Sequence, residues 1–192
     1  MKGPSLMKTI KTNLTYLLSA AIGVLTFIFF AIPYLSAYVN SILGGASEGY
    51  SGYKVMDLWE GGFAGVISSL LQILVLITAV FLLALGICGL LKGFGILKAF
   101  PDAFGKLESK KLAQYGLYAY TGINALLLVF LIIFTASNSD GNDLLSAGFS
   151  LSAGIFITLV FAIATNVTSF IVHKLTKSET STETEAKTET AE

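Results

Sequence analysis

Four stretches without a charged residue constrain this chain most: no Lys, Arg, Asp or Glu occurs from Thr12 to Ser47, Gly61 to Leu91, Leu112 to Ser139 or Leu144 to Val172. Each exceeds the roughly 20 residues that cross a hydrocarbon core at about 1.5 Å per residue. The expected fold is all-α, a four-helix transmembrane bundle with spans near 14–38, 63–91, 114–135 and 148–172. Composition agrees, since 54% of the 192 residues are apolar and 12% charged. Residues 1–175 then form one transmembrane domain, and four spans return both ends to one side.

Lysine decides which side, because the chain has no arginine. Lys2, Lys8 and Lys11 lie in the first tail, Lys174, Lys177 and Lys187 in the last. Lys92, Lys98, Lys106, Lys110 and Lys111 fill the loop between the second and third spans. Only Lys54 falls on the other side, among Glu48, Asp57, Glu60, Asp140 and Asp143. The positive-inside rule makes both termini cytoplasmic and predicts a multi-pass protein of the cell membrane. A secretory signal competes for the first span, with Leu35-Ser36-Ala37 as its cleavage site. Its apolar run outlasts the about 7–15 residues of a signal core, which favours a retained span. Lysine without arginine also suggests a bacterial source.

In lipid, small residues let helix backbones approach. The fourth span carries Ser146, Ser150, Gly154, Thr158, Ala162 and Asn166 at a strict spacing of four, the pattern of a helix contact face. The second adds Gly61 with Gly65 at its outer end and Gly86, Gly89 and Gly93 at its inner end. Weaker pairs are Ser19 with Gly23, and Gly116 with Ala119 or Tyr120. At depth stand the amides Gln72, Asn124 and Asn166, which bond across helices or line a polar track. The mid-membrane stretches hold no carboxylate, lysine, arginine or histidine, which removes the usual working parts of a proton relay or ion-coupled carrier. Cys88, the lone cysteine, reads as a packing residue or a palmitoylation site, with no second thiol for a disulfide or metal cluster.

The inventory argues against an enzyme and supplies no cofactor site. His173, the lone histidine, is at the cytoplasmic end of the last span, where it suits the negative end of a helix dipole. A catalytic triad would have to recruit Ser109 and Asp102 to it. Gly86 to Lys92 lacks the strand that precedes a phosphate-binding loop. Asn138 to Asp143 has the oxygen donors of half a calcium loop, but Phe149 stands where the closing bidentate Glu belongs, and a simple Asp-Asn-Gly turn explains it. No stretch mixes basic and aromatic residues as nucleic-acid binding would require.

The outer stretch GYSGYKVMDLWEGG gathers the lone tryptophan with tyrosines and charges. Tyr34, Tyr38, Tyr53 and Trp59 suit the headgroup level as anchors. Alternatively Tyr50, Tyr53 and Trp59 form an outward patch for a protein or glycan partner. Here Ser51-Gly52-Tyr53, followed by Leu58 and Gly61, resembles the first outer loop of a group of uncharacterised bacterial four-span membrane proteins. The order of spans, with Leu58-Trp59 in that loop, is also similar to that of claudin-type tetraspan proteins. The loop cysteines of that family are missing and the loop is shorter, so the resemblance implies topology and no barrier function.

Between the second and third spans, Phe94, Ile96, Leu97, Phe100, Phe104 and Leu107 alternate with charges around Pro101, which suits an interfacial segment against anionic lipid or a short helical hairpin. Residues 176–192 lack apolar side chains larger than alanine and are expected to be a disordered cytoplasmic tail. The leading expectation is a non-enzymatic small subunit or scaffold that meets a membrane-protein partner or its own copies through the outer aromatic loop and the helix-packing faces. A passive channel or carrier through Gln72, Asn124 and Asn166 is the alternative. An interfacial lipid or glycan enzyme using Asp57 or Glu60 comes third.

Overall fold

The computed structural model describes the backbone of residues 6–41, 44–98, 109–141 and 145–189, and most of their side chains from Asn13 to Lys174. Phe100, Pro101, Asp102, Phe104 and Leu107, the turn residues Asn142 and Asp143, and the side chains of Ser109 and His173 lie outside the described residues.

Four long helices carry the fold: α1 (Leu6–Phe29), α3 (Gly62–Gly93), α4 (Ser109–Ser137) and α5 (Ala153–Glu189), with the short α2 (Gly52–Val55) in the first of the two loops expected to face outward, the outer loops. The second and third spans lie within a few residues of expectation. By length and composition α3, α4 and the Ala153–Ile171 part of α5 can each cross a membrane, while the described apolar stretch of α1, Asn13–Phe29, is shorter. The backbone of α5 continues into the segment whose composition predicts disorder.

The chain is not all-α. Strands β1 (Pro33–Ser41), β2 (Gly44–Ser51), β3 (Asp140–Gly141) and β4 (Leu145–Leu151) form an antiparallel sheet in the order β2-β1-β4-β3. Both outer loops contribute, since β1 pairs with β2 of its own loop and with β4 of the other. The expectation that the first span reaches Tyr38 therefore fails. Pro33 has no N–H to give a helix and its ring crowds the residue before it. The helix tightens first, with Ala31 N–H on Ile28 O and Ile32 N–H on Phe29 O at 3.1 and 3.0 Å, and the chain then extends. The fourth span likewise starts at Ala153 rather than Gly148, because Leu145, Ala147, Phe149 and Leu151 alternate with small residues and fit a pleated strand.

α1 and α3 pack antiparallel along a seam of small residues. An added methyl on Gly86 would stand 2.5 Å from Ala20 N and 2.7 Å from Tyr16 O, and one on Gly23 would stand 2.6 Å from Leu83 Cβ. Gly89 faces the Tyr16 ring and Gly93 faces Asn13. Left-handed Gly62 (φ +67°) turns the chain into α3. Gly95 (φ +76°) ends it, with Gly95 N–H on Lys92 O and Ile96 N–H on Leu91 O in the reciprocal pattern of a glycine-terminated helix. The bundle is apolar outside: Val24, Ile28, Ile77, Val80, Ile132, Val160 and Phe170 are all exposed. Polar side chains are among those buried inside it, which is the distribution of a protein solvated by lipid.

Candidate functional site: a polar belt beneath the outer loop

The Ser51-Gly52-Tyr53 element seats the outer loop on the bundle. Ser51 caps α2, its Oγ accepting from Lys54 N–H at 3.4 Å. Gly52 lets α2 sit low, for a methyl there would come within 3.0 Å of Gln72 Nε2 and 3.1 Å of Phe30 Cα. Tyr53 holds α2 in place, donating to Phe27 O at 3.2 Å while its ring meets Phe30 edge-on at 5.4 Å. Ser69, on α3, donates to Val55 O at 3.1 Å from below.

Beneath α2 a polar belt gathers side chains from all four long helices. Thr158 of α5 gives its single proton to Gly154 O at 2.9 Å, so the contact of 2.7 Å between its Oγ1 and the Tyr34 hydroxyl has the tyrosine as donor. By the same accounting Thr26 of α1 donates to Ile22 O at 2.7 Å, and Tyr120 of α4 donates to Thr26 at 2.8 Å. Burial pushes the Tyr34 hydroxyl well above the usual phenol range, so it stays protonated. Asn124 donates to Tyr120 O at 2.9 Å. Gln72 lies beside the Tyr34 hydroxyl without making hydrogen-bond geometry to it.

Several atoms in this interior have no hydrogen-bond partner: both amide atoms of Gln72, Ser68 Oγ, Asn124 Oδ1, Asn166 Oδ1 and Ser169 Oγ. Ser68, Gln72 and Asn124 are wholly buried, where each unpaired group costs about 1–3 kcal/mol. The belt has hydrogen-bonding capacity and no formal charge.

The structure separates the three expected track residues into two levels. Gln72 and Asn124 belong to the belt, while Asn166 is half-buried and lies deeper. It ties α5 to α4 by donating to Leu117 O at 3.0 Å and to Thr121 Oγ1. Ser68, Thr26, Tyr34 and Tyr120 were not anticipated as members. Ser68 with Gln72, and Tyr120 with Asn124, share helix faces at a spacing of four, which is the signal that would have found them.

No family model, curated protein or solved structure matches the chain.

The outer aromatic residues do not form one patch. Tyr50 turns inward against Phe149 at 5.7 Å, with Lys54 Nζ 5.2 Å from its ring centre, and Tyr53 is bound to α1. Trp59, on the 3₁₀ turn Leu58–Glu60, is exposed, as is part of the Tyr53 ring. On the expected packing face, Gly154 lies against β1, where a methyl would come 2.6 Å from Pro33 O; Ala162 is buried. Ser150 is a correction: it belongs to β4, opposite Ser36, and not to a helix. Cys88 is half-buried on α3, and Asp57 and Glu60 are exposed. Among the described residues no three His, Cys, Asp or Glu side chains converge as a metal site would need.

Proposed function

We propose that this chain is a four-span protein of the cell membrane, with both termini cytoplasmic, that works by contact through its outer sheet. Side-by-side packing supports a spanning α1. Asn13 meets Gly93, and Phe30 meets Gln72 across Gly52, so the aligned stretch of α3 is about 31 Å long. That equals a hydrocarbon core of about 30 Å.

The observation that carries the contact reading is the outer edge of β2. It is paired on one side only, with β1, and its residues from Gly44 to Gly49 are exposed. Natural edges are usually guarded by lysine, proline or a bulge. Here the side chains are small, and the one charge, Glu48, is held 2.7 Å from Lys54 of the same loop. Such an edge accepts a further strand from a partner or a second copy. Alternate residues of a strand present their N–H outward, so proline at Ala46 or at Ser47 removes one edge donor. In gentle detergent the wild type should run as an oligomer or a stoichiometric complex, and one of the two proline variants should run as a monomer. A wild type that is strictly monomeric, with no bound protein, contradicts the reading.

A second reading, a passive channel or small-molecule carrier, draws on the unpaired amide atoms of Gln72, Asn124 and Asn166. Flux into liposomes that falls when these become leucine supports it; absent or unchanged flux removes it.

A further inference from the structure

We infer that the belt under α2 is a binding chamber for a small uncharged molecule rich in hydroxyl or amide groups, admitted from the outer side when α2 lifts. Water is the smallest member of the class, and no passage across the membrane is required.

The ligand class follows from the proton count. Tyr34 and Tyr120 spend their protons on Thr158 and Thr26, so both phenol oxygens retain accepting capacity. Gln72 Oε1 and Asn124 Oδ1 are further unmet acceptors, and Gln72 Nε2 and Ser68 Oγ are the unmet donors. Unmet acceptors and unmet N–H and O–H donors side by side suit hydroxyl and amide groups, which both donate and accept. It offers no counter-charge, and an ion at this depth needs one.

The entrance follows from the lid. In the closed state the unmet atoms are sealed, and sealed unpaired groups favour any motion that lets them bond. α2 is four residues long and stands directly over Gln72. Its hold on α1 is the contact of the exposed Tyr53 to Phe27 O and Phe30, and its hold on α3 is the buried Val55, whose carbonyl accepts from Ser69, so lifting starts at the Tyr53 side.

The test is thiol accessibility of the full chain in liposomes, in a Cys88→Ala background. Ser68→Cys, Gln72→Cys and Asn124→Cys are each exposed to methyl methanethiosulfonate, which is small and neutral, and to its cationic and anionic analogues. Ser68→Cys is nearly isosteric and carries the test should a larger replacement fail to fold. Leu82→Cys, wholly buried deeper on α3, is the control. The chamber predicts modification by the neutral reagent at Ser68→Cys, with the charged reagents roughly a hundredfold slower, and an inert Leu82→Cys. Adding Tyr53→Ala should raise the neutral rate about tenfold by releasing the lid. No neutral modification at Ser68→Cys overturns the chamber. Equal rates for charged and neutral reagents overturn the ligand class. A Leu82→Cys as reactive as Ser68→Cys shows general loosening and overturns the site, and a rate unmoved by Tyr53→Ala overturns the lid.

Discussion

Gly86 and Gly89 bring α1 against α3 at the backbone, and the Tyr16 ring fills the place a side chain on Gly89 would take. Alanine at Gly86 would push a carbon to within 2.5 Å of Ala20 N, so the helices must part. Overpacking of this kind costs about 1–3 kcal/mol, and Gly86→Ala should lower the unfolding midpoint in detergent by the corresponding amount. A midpoint equal to wild type would mean that α1 does not lie against α3 as described. The outer ion pair behaves differently. Lys54 holds the Glu48 carboxyl below its ordinary range, and Glu48 holds the Lys54 ammonium above its own. The contribution of Glu48 is present above the ordinary carboxylate range and is lost as pH falls through its lowered value. That of Lys54 is present below the ordinary ammonium range and is lost as pH rises through its raised value. The contribution of this pair should therefore be constant across roughly pH 5–10, and Glu48→Gln should move stability little because both groups are in solvent. Thermal scans of Glu48→Gln against wild type across that range check this.

At the level of elements, α5 and β1 are locked where Gly154 meets Pro33 O and Tyr34 and where Thr158 meets the Tyr34 hydroxyl. Valine at Gly154 should pry the sheet from the bundle, with a loss again of about 1–3 kcal/mol and a changed near-ultraviolet signal from Tyr34. Tyr34→Phe should cost less, about 1 kcal/mol, since it deletes one hydrogen bond and leaves the packing. The second and third spans, α3 and α4, were legible in the sequence to within a few residues. The outer ends of the other two were not, for two physical reasons. Lack of charge reports where a segment is solvated and says nothing about its backbone form. A spacing of four, as in Ser146 and Ser150, is both about one helical turn and two strand repeats. Only the period-two run Leu145, Ala147, Phe149, Leu151 separates the two cases, and Pro33 gives the corresponding signal in the first loop. Gln72 and Asn124 stood out as deep amides, but their convergence with Tyr34 and Tyr120 depends on how the helices pack, which no local pattern encodes.

Across the whole molecule, one arrangement explains the charge-free windows, the exposed apolar belt and the lysine asymmetry. The loops after α1 and α4 fold into a sheet that caps one end of the bundle, and among the described lysines Lys92 and Lys110 lie at the opposite ends of α3 and α4. The central claim is that lipid surrounds these helices and that the sheet alone faces outward. Single-cysteine variants at Lys8, Ser47, Lys98 and Lys177, in a Cys88→Ala background and treated in intact cells with a membrane-impermeant maleimide, test it most directly. Labelling at Ser47 alone, with the other three reached only after permeabilisation, is the expected result. Labelling of Lys8→Cys or Lys177→Cys in intact cells would contradict it.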